Sequence, residues 1–222
     1  MGFKVNHKRI LRITKEHGWM STYNNRGHRK YNSYKGNVGR VAKNRIHRRF
    51  KTDRPYQKLT ADVSEFRFGG LSQDERVYLE PIMDLFSGEI LAYNISDHPT
   101  VDFAVKPLEE VLNKLPQLDY RTTVHTDQGF QYQNQRWVNV LKKHRVFQSM
   151  SRKATCLDNA EMESFFSVMK AEMLNGRHYD TKEQLETAMN DWLEFYNNRR
   201  IKSRLKGKSP VEYRELAFPK AA

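Results

Sequence analysis

Three carboxylates in this sequence could act together. Asp62 lies in Thr60-Ala-Asp-Val-Ser-Glu-Phe66, Asp127 in Val124-His-Thr-Asp-Gln-Gly-Phe-Gln-Tyr132, and Glu163 in Glu161-Met-Glu-Ser-Phe-Phe166. Thirty-five residues separate Asp127 from Glu163, and few basic residues stand beside any of the three. Acids brought together from separate elements need a reason to converge, and the usual one is a divalent cation. Hard oxygen ligands hold Mg²⁺, and a pair of ions can activate one oxygen while stabilising another in phosphoryl transfer. Read singly, Asp62 is a solvated strand residue, Asp127 a turn cap and Glu163 a surface helix residue. The acids alone do not separate these readings from the metal reading.

The surrounding pattern supplies elements able to position the three acids. Leu59, Ala61 and Val63 alternate with Thr60, Asp62 and Ser64, so a strand with one apolar face projects Asp62 from the other. Residues 76–86 and 89–96 read as a hairpin around Ser87-Gly88, with Pro81 implying a bulge or an edge because it lacks a ladder donor. A helix over 101–115 has Thr100 as N-cap and Pro107 as a kink or late start. A short strand, 122–126, delivers Asp127 at its end, and Asn134 caps a helix to about His144. A strand at 146–149 and a polar loop, Ser151 to Thr155, lead to a capping-box spacing at Asp158 and Glu161. That spacing predicts a helix from about Asn159 with Glu163 beside an apolar stripe. Thr181 and Gln184 open a further helix. Asn159, Glu163 and Lys170 fall on one face at 3.6 residues per turn. His125, inside a strand, reads as a packing or hydrogen-bonding residue, and no histidines have zinc-ligand spacing with a cysteine.

Charge is concentrated at one end. The 222 residues carry a formal +13. Residues 1–54 hold 16 Lys/Arg against Glu16 and Asp53, a net +14, and the remainder is close to neutral at −1. Arg26, Arg29, Lys30, Arg45, Arg48 and Arg49 interleave there with Tyr23, Tyr31 and Tyr34. That is the footprint of a polyanion partner, and residues 20–54 are expected to form an extended linker that tracks a phosphate backbone. The alternative is a solubilising tail. A short helix capped by Asn6 and stopped by Gly18 precedes it. Length allows one core domain plus a small appendage. No apolar run reaches membrane-spanning length, and no secretion signal is visible. The single cysteine, Cys156, fits a reducing cytosol.

The phrases around the acids are more specific than the acids. His-Thr-Asp-Gln-Gly-Phe-Gln-Tyr at 125–132, Ser-Arg-Lys at 151–153 with Asp-Asn-Ala-x-x-Glu-Ser-Phe-Phe at 158–166, and Tyr-Asn-Asn-Arg-Arg at 196–200 followed by Ser-Pro-Val-Glu-Tyr at 209–213 resemble bacterial insertion-sequence transposases. In that family a second reading frame encodes the catalytic subunit of the DDE integrase-core superfamily. The resemblance implies an α/β, RNase H-like core: a five-stranded mixed sheet with helices on both faces, preceded by a basic N-terminal segment. It implies boundaries at 1–54 for a DNA-binding segment, 55–200 for the core and 201–222 for a basic tail. Asp62, Asp127 and Glu163 become catalytic metal ligands, with two Mg²⁺ or Mn²⁺ ions expected. Lys170 and Asn159 become contacts to end DNA, and Arg152 and Lys153 contacts near the site. The implied activity is strand cleavage and 3′-hydroxyl transfer during transposition. The implied partners are element ends, target DNA, further copies of the chain, and a partner or fused N-terminal part. The implied location is the cytoplasm, at the nucleoid when DNA-bound. A DNA-binding regulatory or relic fragment without catalysis is the alternative, and a plain nuclease of the same fold a third reading. Relatives often have glycine where this chain has Ala154.

Overall fold

The computed structural model describes residues 5–19, 40–70, 75–152 and 155–217. Two compact units emerge, Met1–Tyr31 and Asn32–Ala222. The first contains α1, His7–Glu16, with Asn6 accepting from the Lys8 amide as N-cap and Gly18 in the left-handed region just past the helix end. Ile10 and Leu11 of α1 remain exposed.

The second unit is built on one mixed sheet. Its strands are β1 (Lys58–Ala61), β2 (Ser64–Arg67), β3 (Arg76–Asp84), β4 (Ile90–Ser96), β5 (Thr123–Thr126) and β6 (Phe147–Met150). The pair β3 and β4 is antiparallel, and β3 pairs antiparallel with β1 and β2 along its other edge. Beyond β1 the order continues through β5 to β6, both parallel to β1. This is the expected connectivity with one difference: the first predicted strand ends early, at Ala61, and an unpredicted strand, β2, follows it, which makes six. The register on β3 is the same on both sides of the break, so Asp62 and Val63 fall opposite Pro81 and Glu80. Pro81 has no N–H to give the ladder, and pairing lapses opposite it. The proline therefore sits in a central strand, with the interruption falling at Asp62.

Alternation sends side chains to two cores. Leu59, Ala61 and Ile82 pack with α2 (Val101–Lys114), α3 (Phe130–Gln133) and α4 (Gln135–Lys143), through Leu108, Tyr132, Trp137 and Leu141. Phe66, Val77, Leu79 and Met83 pack on the opposite face with α5 (Ala160–Leu174) and α6 (Lys182–Asn198), through Met162, Phe165, Met169 and Trp192. Burial of this kind contributes about 25 cal/mol per Å² of apolar surface, so the two faces fix both helical layers on the sheet. Thr100, Asn134 and Thr181 cap α2, α4 and α6 as expected, and α2 runs through the buried Pro107.

Two expected boundaries shift. Residues 40–54, read as part of an extended linker, lie against the core. Ile46 is buried, the Arg45 amide donates to Ser149 Oγ at 2.8 Å, and the Lys58 ammonium donates to the carbonyls of Arg49 and Lys51. The basic tail expected from 201 contains α7, Pro210–Ala217, whose Arg214 is buried against Glu89 and whose Tyr213 ring lies 5.0 Å from that of Phe86. Among the described residues no helix is long and apolar enough to cross a membrane.

Candidate carboxylate site and its basic surroundings

Parallel pairing brings two of the three acids together. Lys58, Leu59 and Thr60 of β1 stand opposite Thr123, Val124 and His125 of β5. Carried two residues on, that register sets Asp62 level with Asp127 at the C-terminal ends of neighbouring strands. Asp62 Oδ1 accepts from the Val63 amide at 2.8 Å and Oδ2 from Asn159 Nδ2 at 3.0 Å. Asp127 Oδ1 accepts from the Gly129 amide at 2.8 Å. A Cβ at Gly129 would meet that carboxylate oxygen at 2.9 Å and the Gln131 side chain at 2.7 Å, so a larger residue there would displace both side chains.

The local electrostatics are strained. Burial pushes the Asp62 carboxyl well above the usual range, and the charges of Asp127 and Glu163 push it further, against the two donors. Burial also raises Asp127, opposed by the Gly129 amide. Glu163, exposed in the first turn of α5, is thus felt at Asp62. Among the described residues no three His, Cys, Asp or Glu side chains close around an ion position. The donor chemistry nevertheless fits a hard divalent cation: carboxylate oxygens only, from two half-buried side chains whose mutual repulsion such an ion would relieve, with a third within one helical turn of the loop.

The expected DNA contacts divide into distinct groups. Asn159 does not share the face of Glu163 and Lys170, because it precedes α5 in the tight turn Cys156–Asn159. It is buried and bridges Asp62 to Thr60, whose hydroxyl donates to Asn159 Oδ1 at 3.1 Å. Lys170 lies with its ammonium 5.0 Å from the Phe66 ring centre, and burial lowers its pKa while Glu65 and Asp62 raise it. Arg152 and Arg48 both bind the Asp158 carboxylate. Arg45 places its guanidinium 4.5 Å from the Phe147 ring centre, and Arg49 Nε donates to the Ile46 carbonyl. Arg26, Arg29, Lys30, Lys153 and Ala154 lie outside the described residues.

Two acids beyond the three take roles that the spacing does not show. Asp158 is not a helix cap: its enclosed carboxylate accepts from Asn44 Nδ2, Arg48 Nε, and the amide and guanidinium of Arg152, which hold it well below the usual carboxylate range. Glu80, which the sequence reading did not single out, is fully buried on the α3 side of β3. Both its oxygens face the Tyr132 hydroxyl, at 2.8 and 3.0 Å. Burial drives its carboxyl well up, Tyr132 opposing and the charges of Asp62 and Asp127 adding. One acid inside the otherwise apolar run Val77 to Met83 was the available signal. His125 is buried between Ser149 Oγ, at 2.8 Å, and the Asp158 carbonyl, at 2.8 Å, in the hydrogen-bonding role its place in the strand suggested.

Known proteins share this architecture. The integrase core domain family matches residues 52–156, and a second family of the same description matches 163–218. The chain is 37% identical over 217 residues to "Putative transposase InsK for insertion sequence element IS150" of Escherichia coli K12, covering 98% of this chain and 74% of that one. It is 38% identical to an "Uncharacterized transposase-like protein" of Haemophilus influenzae, covering 95% and 94%. Among solved structures, the HTLV-2 integrase catalytic core in complex with magnesium aligns with TM-score 0.55 at 16% identity, over 74% of this chain and 99% of that one. A simian T-cell lymphotropic virus intasome chain aligns with TM-score 0.61 at 14% identity, over 99% and 69%. The structural likenesses carry the fold, that of the retroviral integrase cores.

Proposed function

The chain belongs to the bacterial insertion-sequence transposases of the integrase-core superfamily, and from that membership we propose that it is a polynucleotidyl transferase that cuts element ends and joins their 3′-hydroxyls to target DNA. The observation that supports this most is the repelling pair Asp62 and Asp127 at adjacent parallel strand ends, both raised by burial, with Glu163 in electrostatic reach. Asp62 and Asp127 would hold a divalent ion, Mg²⁺ or Mn²⁺, with Glu163 joining by a rotamer change and completing a site for two. Such ions supply, when bound, the charge stabilisation that in-line attack at phosphorus requires.

The chain's own residues prepare that site. Asn159 aims the Asp62 carboxylate, and its own amide is oriented by Thr60. The Gly129 amide aims Asp127. Lys170, one face along α5 from Glu163, offers its ammonium to a phosphate of the DNA end. In this reading residues 1–54 supply sequence-independent DNA affinity, residues 55–200 the chemistry, and further copies of the chain assemble on DNA in the cytoplasm. A DNA-binding regulatory fragment without catalysis is the second reading, favoured by the solvent exposure of Glu163 in the first turn of α5.

One assay separates them. Asp62→Asn, Asp127→Asn and Glu163→Gln keep size and should each abolish Mg²⁺-dependent strand transfer on element-end DNA while DNA binding persists. A wild-type chain that binds ends without cutting them would establish the regulatory reading. Near-wild-type transfer by any one variant would remove that residue from the site.

A further inference from the structure

Arg48 and Arg152 come from segments more than one hundred residues apart and meet on one carboxylate. Arg48 Nε reaches Asp158 Oδ1 at 2.9 Å, while Arg152 reaches Oδ2 through Nε and Oδ1 through Nη2, each at 2.9 Å. The Asp158 side chain has no exposed surface, whereas the Arg48 and Arg152 side chains are 45% and 60% exposed. Two guanidiniums against one carboxylate leave a surplus positive charge, and it lies on the solvent side. Among the described residues neither guanidinium has a second carboxylate partner.

The cluster is coupled to the carboxylate site through the backbone. The residue after Asp158 is Asn159, which holds Asp62. The Asp158 carbonyl meets His125 Nε2, two residues before Asp127. Asn44 ties the same carboxylate to the segment that carries Arg48.

We infer that Arg48 and Arg152, yoked by Asp158, form one composite seat for a single phosphate of a DNA strand at the rim of the Asp62–Asp127 site. The inference rests on the reading that this chain acts on DNA. Paired guanidiniums suit a phosphate because their planar N–H forks match its oxygens, and a fixed pair binds without first ordering two long side chains. Asp158 is the positioning residue: it holds both guanidiniums side by side and offsets one of their two charges. A strand phosphate in the seat is thereby registered against the turn that carries Asn159.

Salt dependence tests the seat with a duplex oligonucleotide of arbitrary sequence. Each neutralised phosphate contributes about 0.9 to the slope of log affinity against log salt on B-DNA. Arg48→Gln and Arg152→Gln should each lower the slope by about that amount, and the double variant by no more than either single. A double variant losing about twice as much would mean two separate phosphates and overturn the shared seat. Unchanged slopes would leave the arginines as a latch between segments and also overturn it. A wild-type chain with no salt-dependent DNA binding would instead refute the DNA reading itself. Should the variants unfold, the wild-type side-chain Nε resonances of both arginines can be titrated with a dinucleoside monophosphate. Joint shifts with one affinity are expected, and independent or absent shifts overturn the seat.

Discussion

Asp62 has two donors, yet burial and the neighbouring acids still hold its carboxyl well above the usual range. A carboxyl raised by folding makes the folded chain bind more protons than the unfolded chain once pH exceeds the unfolded pKa of about 3.9. Stability of the metal-free protein should therefore decline as pH rises from there through the raised values. Asp127→Asn removes one charge of the pair and retains an oxygen for the Gly129 amide. It should raise the metal-free melting temperature at mildly alkaline pH by about 2–4 °C, the shift roughly 1 kcal/mol produces in a domain of this size. If the proposed site holds Mg²⁺, the ion should raise the melting temperature of the wild type, and the same variant should lose that gain. Calorimetry with and without chelator reads both effects, and equal melting temperatures throughout would show that the pair is not repelling. That Asp62 and Asp127 end neighbouring strands was legible, because each follows a short apolar alternation within a specific phrase. Asn159 was misread because helical spacing places a face but does not reveal that the residue precedes the helix. Glu80 was passed over because its meaning depends on Tyr132, 52 residues away, and no local pattern carries that.

Secondary structure was legible where its signal is local, as at the caps Asn6, Thr100, Asn134 and Thr181. It was less so where partners are distant. Pro81 made sense only once its opposite residue was known, since a missing donor is tolerable where pairing already lapses at Asp62. The last helix shows the same limit: residues 201–222 read as a basic tail, yet Arg214 of α7 is enclosed with Glu89. Removing one member of such a pair leaves a buried charge uncompensated. Arg214→Ala should thus cost about 3–5 kcal/mol, whereas replacing Arg214 and Glu89 together with methionine should cost far less. Urea denaturation measures both. Equal losses would show that the helix is held by its apolar packing and not by the pair.

Over the whole chain the charge is unevenly placed, with the net +14 of residues 1–54 beside a nearly neutral remainder. The structure redraws where that division falls. Ile46 is buried, Arg45 and Lys58 tie the segment down, and Asn44 and Arg48 complete the shell of Asp158. Composition could not reveal this, because a basic stretch looks the same whether solvated or docked, and one buried isoleucine makes no period. Two truncations should consequently differ in kind. Deleting residues 1–39 removes nine Lys/Arg and should flatten the salt dependence of DNA binding by about 0.9 for each phosphate left without its cation, with core stability kept. Deleting residues 1–54 should do that and also destabilise the core. The Ile46 site empties, a loss of about 2–5 kcal/mol by analogy with large-to-small changes, and the enclosed Asp158 carboxylate loses two of its donors. Melting curves and salt titrations on both truncations separate the effects. If the longer deletion melted with the shorter one, residues 40–54 would be a passive tether; if neither changed the salt slope, the basic end would be a solubilising tail. A longer deletion that alone melts early would instead mark residues 40–54 as the structural bridge between the basic end and the carboxylate site.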